Sequence, residues 1–321
     1  MKRVAIFASY FKEGIIPEYV VYYLQGLKKL VDDIVYIADS DVKSGEEEKI
    51  RGLVTYYKCE RHGCYDFGSY RRGFEWAEQN EILDDADELI FCNDSCYGPV
   101  YPFEDVFVDM DKRECDFWGM TESNQMMNHL QSFFLVFKKG VFKSSTFIDF
   151  VHSFEKQESF MDYVLKYEIQ FASVLSKVGF RAASYVNADY FEDLVHNPTN
   201  PMLWPIEVIE RKVPLIKRKV IQNNYDGYLC EPLLELLYHI SKKNEKLFSC
   251  IKNDMAPNDI QFIEKLYKQN KNIHDAMLKC IVAQKRTENK NKKHLKQLRW
   301  MIYTNIMLAI SLFVLALFAF C

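Results

Sequence analysis

Short, almost wholly apolar runs alternate with amphipathic segments through the first two thirds of the chain. That alternation restricts the fold to a sheet crossed by helices. RVAIFASY (3–10) opens the series as a run suited to a strand buried on both faces. Pro17 then marks a helix start, with Tyr19, Val20, Tyr23, Leu24 and Leu27 on one face. DIVYIADS (33–40) is a second strand, and 42–52, charged and holding Gly45 and Gly52, reads as a surface loop or short helix. LVTYYKC (53–59), a helix over 69–80, ELIFCNDS (88–95), CDFWGMT (115–121) and LQSFFLVFK (130–138) continue the order. Helical segments over 146–156 and 160–178 and a strand FRAASYV (180–186) complete it. The order predicts a parallel sheet with helical crossovers.

With 49% hydrophobic and 27% charged residues, the chain of 321 is neither disordered nor fibrous. Its net charge of −4 hides an asymmetry: residues 285–299 hold seven Lys or Arg and one Glu, leaving −10 for residues 1–284. An acidic body argues against generic nucleic-acid binding. The nine cysteines are odd in number and irregular in spacing, and Cys92 and Cys96 have no second pair to complete a zinc set, so reduced thiols in a cytosolic compartment are expected. Residues 300–321 contain 22 consecutive uncharged, mostly apolar residues, about the length of a bilayer-spanning helix. Trp300, Tyr303 and the basic flank fit a membrane interface with the body on the cytosolic side. The expected layout is an α/β body (1–221), an amphipathic helical stalk (222–284), a basic collar (285–299) and a C-terminal transmembrane helix (300–321).

In an open α/β sheet, ligands bind beyond the carboxyl ends of the strands. Three such ends carry polar clusters: Asp39–Ser40–Asp41, Asn93–Asp94–Ser95 and Thr121–Glu122–Ser123. The second follows a strand expected to be buried, and its carboxylate suits a divalent cation bridging a diphosphate, Mg2+ or Mn2+; a turn capped by Asn and Asp is the alternative. GCYDFGSYRRG (63–73) places two glycines around Asp66 and puts Arg71 and Arg72 at a helix start, an arrangement open to an anion but lacking any established phosphate-loop pattern. Glu168, expected in a first helical turn, is either a general base or ordinary helix-dipole chemistry. His129 and His196 are open in the same way. Lys217 and Arg218 either neutralise a leaving diphosphate or flank a strand.

Several of these strings stand in one order: CYDFGSYRRGFEW, ELIFCNDSCYGPVYPFEDVF, CDFWGMTES, HLQSFFLVFKKGVF, the Glu168 helix through VGFRAASY, HNPT and VPLIKRKV. Together they resemble the rhamnan synthesis protein F family over roughly residues 1–221, with the stalk and anchor outside. The resemblance implies a bacterial surface-polysaccharide glycosyltransferase with a GT-A-like, Rossmann-like nucleotide-diphospho-sugar fold. It puts Asn93–Asp94–Ser95 at the place of the Asp-x-Asp metal motif, with one carboxylate instead of two. It makes Glu168 the base, Asp39 and Asp66 donor contacts, His196 a late metal or diphosphate ligand, and Trp118 with His129 lining for a sugar or acceptor pocket. The expected reaction is inverting transfer of L-rhamnose from dTDP-L-rhamnose to a lipid-linked glycan at the bacterial inner membrane. A non-catalytic scaffold that recruits polysaccharide enzymes, and a nucleotide-sugar hydrolase, are the alternatives.

Overall fold

The computed structural model describes residues 1–123, 127–186, 209–222 and 230–255. His196, the basic run 285–299 and the apolar segment 300–321 lie outside the described residues. Among the described residues, no helix is long and apolar enough to cross a membrane.

The chain runs β1 (Arg3–Ser9), α1 (Glu18–Leu27), β2 (Asp33–Ala38), α2 (Glu48–Arg51), β3 (Tyr56–Cys59), α3 (Tyr65–Gln79), β4 (Glu88–Asn93), β5 (Cys96–Tyr97) and α4 (Phe103–Met110). It continues with β6 (Phe117–Ser123), β7 (His129–Leu130), β8 (Phe134–Lys138), α5 (Lys139–Phe142), α6 (Ser145–His152) and α7 (Phe160–Tyr163). A π-helical turn (Val164–Glu168) leads from α7 into α8 (Ile169–Lys177), followed by β9 (Ala182–Val186), β10 (Ile216–Lys217) and α9 (Arg218–Gln222). Helices α10 (Cys230–Lys243) and α11 (Glu245–Asp254) end the described chain.

Eight strands form one sheet in the order β3-β2-β1-β4-β8-β6, with β7 and β9 both pairing with β6, while β5 and β10 make a separate two-stranded ribbon. β3, β2, β1 and β4 are parallel, and β9 is parallel to β6. β8 runs antiparallel to both β4 and β6, so the expected all-parallel sheet is corrected to a mixed one. The reason is length: the link from Ser123 to Phe134 is too short for a helical crossover, which needs a dozen or more residues.

β1 is apolar on both sides because both faces are covered. Phe7 meets Tyr23 of α1, ring centroids 5.1 Å apart, while a Cβ on Gly73 of α3 would fall 2.4 Å from the Ile6 side chain. Only a glycine lets α3 approach that closely. That same α3 face of the sheet collects Tyr70, Phe74, Phe91, Phe137, Phe147, Phe171 and Leu175 into one buried cluster.

The compact unit extends over Met1–Ala256, past the body boundary expected at 221; the second unit, Pro257–Cys321, falls outside the described residues. Asn244 bonds Tyr22, and Asn253 reaches Glu18 at 2.7 Å. Asp254 accepts from Tyr97 at 2.6 Å, from Arg218 at 3.1 Å and from Gln222 at 2.7 Å. The start of the expected stalk is therefore part of the body, because α11 finds both an apolar seat for Leu247 and Ile251 and a guanidinium, a phenol and an amide as donors to its last residue.

Candidate functional site

The carboxyl ends of β1, β2 and β4 lie side by side, and residues just beyond them converge. Asp94 is 6% exposed; its Oδ2 accepts from Ser9 Oγ and from the Tyr10 backbone N–H, each at 2.8 Å. Burial raises the pKa of its carboxyl, against the pull of Arg218 and these two donors. Asn93 donates through Nδ2 to Asp66 Oδ2 at 2.8 Å and accepts at Oδ1 from Ser95 Oγ at 2.5 Å. Lys217 Nζ donates to Ser95 Oγ at 3.0 Å, because the antiparallel pairing of β10 with β5 sets Lys217 opposite Cys96.

Glu168 joins this rim from the other side. Its Oε1 accepts from both the backbone N–H and the hydroxyl of Ser132, each at 2.9 Å. Ser132 also accepts at its carbonyl from Tyr70 OH at 3.1 Å, and its neighbour Phe133 accepts from the Asn93 N–H at 3.3 Å. Two short bonded chains, Glu168–Ser132 and Asp66–Asn93, thus meet where β8 begins. Burial, then the Asp94 charge, with Glu168 and Asp39 adding to it, pushes the Asp66 carboxyl up to about 7, while Lys217 opposes them. An acid-rich rim that also carries an ammonium can hold a proton near neutrality and accept an anionic ligand.

The remaining expected positions are taken up by contacts within the body. Asp39, 2% exposed, is a loop anchor: its carboxylate accepts from the N–H groups of His62 and Gly63 at 2.7 Å each and of Tyr65 at 3.3 Å, and pairs with Arg61 at 2.8 Å. Gly63 adopts φ +68° to make that wrap. Burial, helped by the Arg72 and Arg61 charges and opposed by Asp39, lowers the His62 imidazole to about 4, so this ring is neutral. Arg71 and Arg72 do not sit at a helix start, since α3 begins at Tyr65; Arg71 pairs with Glu75 at 2.7 Å and Arg72 donates to the Gly68 carbonyl at 3.0 Å. Glu168 is likewise not in a first turn; it ends the π turn inside a helical run that starts at Phe160.

Trp118 is 2% exposed and packs against Phe107, ring centroids 5.0 Å apart. It pairs in register with Val136, which faces Ile90, three residues and about 10 Å before Asn93 along the sheet. That makes it a core aromatic, not pocket lining. His129 is buried in β7 and donates from Nδ1 to the Met127 carbonyl at 2.8 Å. A surface concavity of about 400 Å³ lined by Gln157, Glu158, Asp162, Leu165 and Lys166 shares no residue with the rim.

Ser132, Tyr70 and Ser9 were not among the expected site residues. Ser132 stands inside HLQSFFLVF, but only the reversal of β8 shows that a strand's entrance, not its exit, faces the site. For a divalent cation, Asp94 and Asp66 offer oxygen donors of the right hardness, and their mutual repulsion is what a cation would relieve. Among the described residues, no group of three or more His, Cys, Asp or Glu is set to hold a metal.

The fold and rim define a mixed α/β protein with an acidic, lysine-bearing candidate site beyond its strand ends, among the described residues. The chain belongs to the rhamnan synthesis protein F family, whose sequence profile matches residues 34–307. The match runs well past residue 221, so the helical region lies inside the family's span and not outside it. Virulence protein VirA of Vibrio anguillarum is 24% identical over 263 residues, covering 71% of this chain and 82% of VirA. Among solved structures, TarS 1-349 of S. aureus covers 84% of this chain and 92% of its own at 13% identity and TM-score 0.38. A glycosyltransferase involved in the glycosylation of the major capsid of PBCV-1 covers 67% and 91% at 13% identity and TM-score 0.36. Scores this low assign no activity to the chain.

Proposed function

We propose that the protein is a glycosyltransferase of surface-polysaccharide synthesis with a GT-A-like body, transferring L-rhamnose from dTDP-L-rhamnose to a lipid-linked glycan. The observation that carries this reading is the meeting of the Glu168–Ser132 and Asp66–Asn93 chains at one rim, in a member of a family described by rhamnan synthesis.

The acceptor hydroxyl oxygen attacks the anomeric carbon as the bond from that carbon to the diphosphate oxygen breaks, and the nucleoside diphosphate leaves with the electron pair. Glu168 takes the hydroxyl proton. Both Ser132 donors bind Oε1, which fixes the carboxylate and leaves Oε2 for the proton. Lys217 and Arg218 offset the charge that develops on the diphosphate. A divalent cation held by Asp94 and Asp66 would add charge neutralisation at the same place; His196, the further ligand expected from the sequence, lies outside the described residues. Attack opposite the leaving group turns a β-L-rhamnosyl donor into an α-linked product.

The basic run and the uncharged segment at 300–321 support a membrane anchor with the body at the cytosolic face of the bacterial inner membrane, where donor and lipid-linked acceptor share one surface. The test is release of dTDP by the full chain, purified in detergent, from dTDP-rhamnose with Mg2+ or Mn2+ and a lipid-linked acceptor. Wild-type release no greater than that of Glu168→Gln and Asp94→Ala would refute the enzymatic reading.

A further inference from the structure

The helix that carries Glu168 begins at Phe160, and its first turn shows an aromatic face to solvent. Phe160 is 55% exposed, and Tyr65, 49% exposed, lies beside it with ring centroids 5.7 Å apart. Buried Tyr163 backs Tyr65 at 5.0 Å. Tyr65 holds φ +51°, in the left-handed region that a bulky side chain seldom adopts. Its N–H donates to Asp39, and the resulting turn both directs its ring outward and starts the helix that delivers Asp66. Strain of this kind persists only where the surroundings impose it, and it gathers at ligand sites.

The pair adjoins the rim on two sides. Asp66 is the next residue after Tyr65, and Phe160 precedes Glu168 by eight residues, about 12 Å along a helix. Lys219, two residues beyond Lys217, sets its Nζ 5.7 Å from the Phe160 ring. The ring planes stand at 62°, so the pair forms a corner rather than a flat surface. A pyranose fits such a corner beside a phenol hydroxyl and an ammonium: its C–H face stacks on one ring, its edge meets the other, and its hydroxyls stay among polar groups. At this distance from Glu168, the ring that stacks is not the one that reacts.

We propose that Tyr65 and Phe160 form a platform for a sugar ring of the acceptor glycan beyond the reacting one; this rests on the reading of Glu168 as the base. The full chain in detergent is titrated with a linear rhamnose tetrasaccharide, followed by saturation-transfer NMR, and separately with dTDP. Phe160→Ala and Tyr65→Ala should each weaken tetrasaccharide binding on the order of tenfold, with dTDP binding unchanged, and Phe160→Trp should retain wild-type binding. Equal tetrasaccharide affinity in wild type and both alanine variants overturns the platform, as does absence of saturation transfer to the tetrasaccharide in the wild type. Failure of the wild type to bind dTDP, with the saccharide losses intact, removes the donor reading and leaves the platform standing.

Discussion

Asp66→Asn should make the protein more stable at alkaline pH while leaving it little changed in acid. The native carboxyl titrates near 7, raised by burial and by the Asp94 charge from an ordinary value of 3.8. A group raised in this way binds its proton more tightly in the folded chain than in the unfolded one. The stability tied to that proton is therefore complete below about pH 4 and is lost as pH rises through 7. Each pH unit is worth about 1.4 kcal/mol, so between pH 5 and 8 the wild type should lose at most about 3 kcal/mol through this group. Solvent at the open side of the carboxyl makes that figure a ceiling. The amide at residue 66 has no proton to lose and keeps an acceptor oxygen for Asn93 Nδ2. Asp94 and Glu88, also raised by burial, titrate in both proteins and largely cancel in the difference. Urea unfolding of the full chain in mild detergent, followed by circular dichroism at pH 5, 6, 7 and 8, gives the comparison. A wild-type-to-variant difference constant across that range would show that Asp66 does not face Asp94 across a poorly solvated rim, and the account of the site would fail with it.

Glu168→Gln should lower kcat on the order of 10²–10⁴-fold with donor affinity unchanged, measured by dTDP release and by nucleotide titration; a loss confined to KM contradicts a base. Trp118→Ala should cost about 3–5 kcal/mol in denaturant unfolding, because the side chain fills the core between β6 and α4, and leave sugar-nucleotide binding intact in the folded fraction. Asp254→Ala removes the acceptor shared by Tyr97, Arg218 and Gln222 and should cost about 2 kcal/mol. It should also expose α11 to limited proteolysis before the rest of the body; cleavage rates equal to wild type would count against α11 as an integral part of the unit.

The sheet was legible where burial is two-sided. β1, β2 and β4 are continuous apolar runs, and the apolar face expected for α1 is buried in full. α4 went unread although Phe103, Val106, Phe107 and Met110 follow Pro102 at helical spacing, a signal that was present. α3 starts four residues earlier than its periodicity suggests, because the turn that launches it is set by the Asp39 carboxylate, far away in sequence. The same long-range bond moved Arg71 and Arg72 from a helix start to its interior. Strand direction was not legible: apolar runs carry no record of which way a strand points.

That unread direction is what assembles the rim. Register sets Phe134 opposite Cys92, so the reversed β8 begins where β4 ends. Its leading residues Ser132 and Phe133 therefore reach Glu168 and Asn93 from a strand whose exit, at Lys138, lies at the opposite edge of the sheet. A parallel β8 would have delivered Lys138 to that place instead, and no donor pair would meet Glu168. The π turn acts in the same sense: it widens the helix at Val164–Glu168 while Tyr163, Tyr167 and Phe171 stay in the core, and its last residue is the one that bonds Ser132. Wide turns of this kind recur at functional positions within α-helices. A reversed strand and a widened turn, neither written in hydrophobic periodicity, together bring the Glu168 carboxylate within one serine and one asparagine of Asp66.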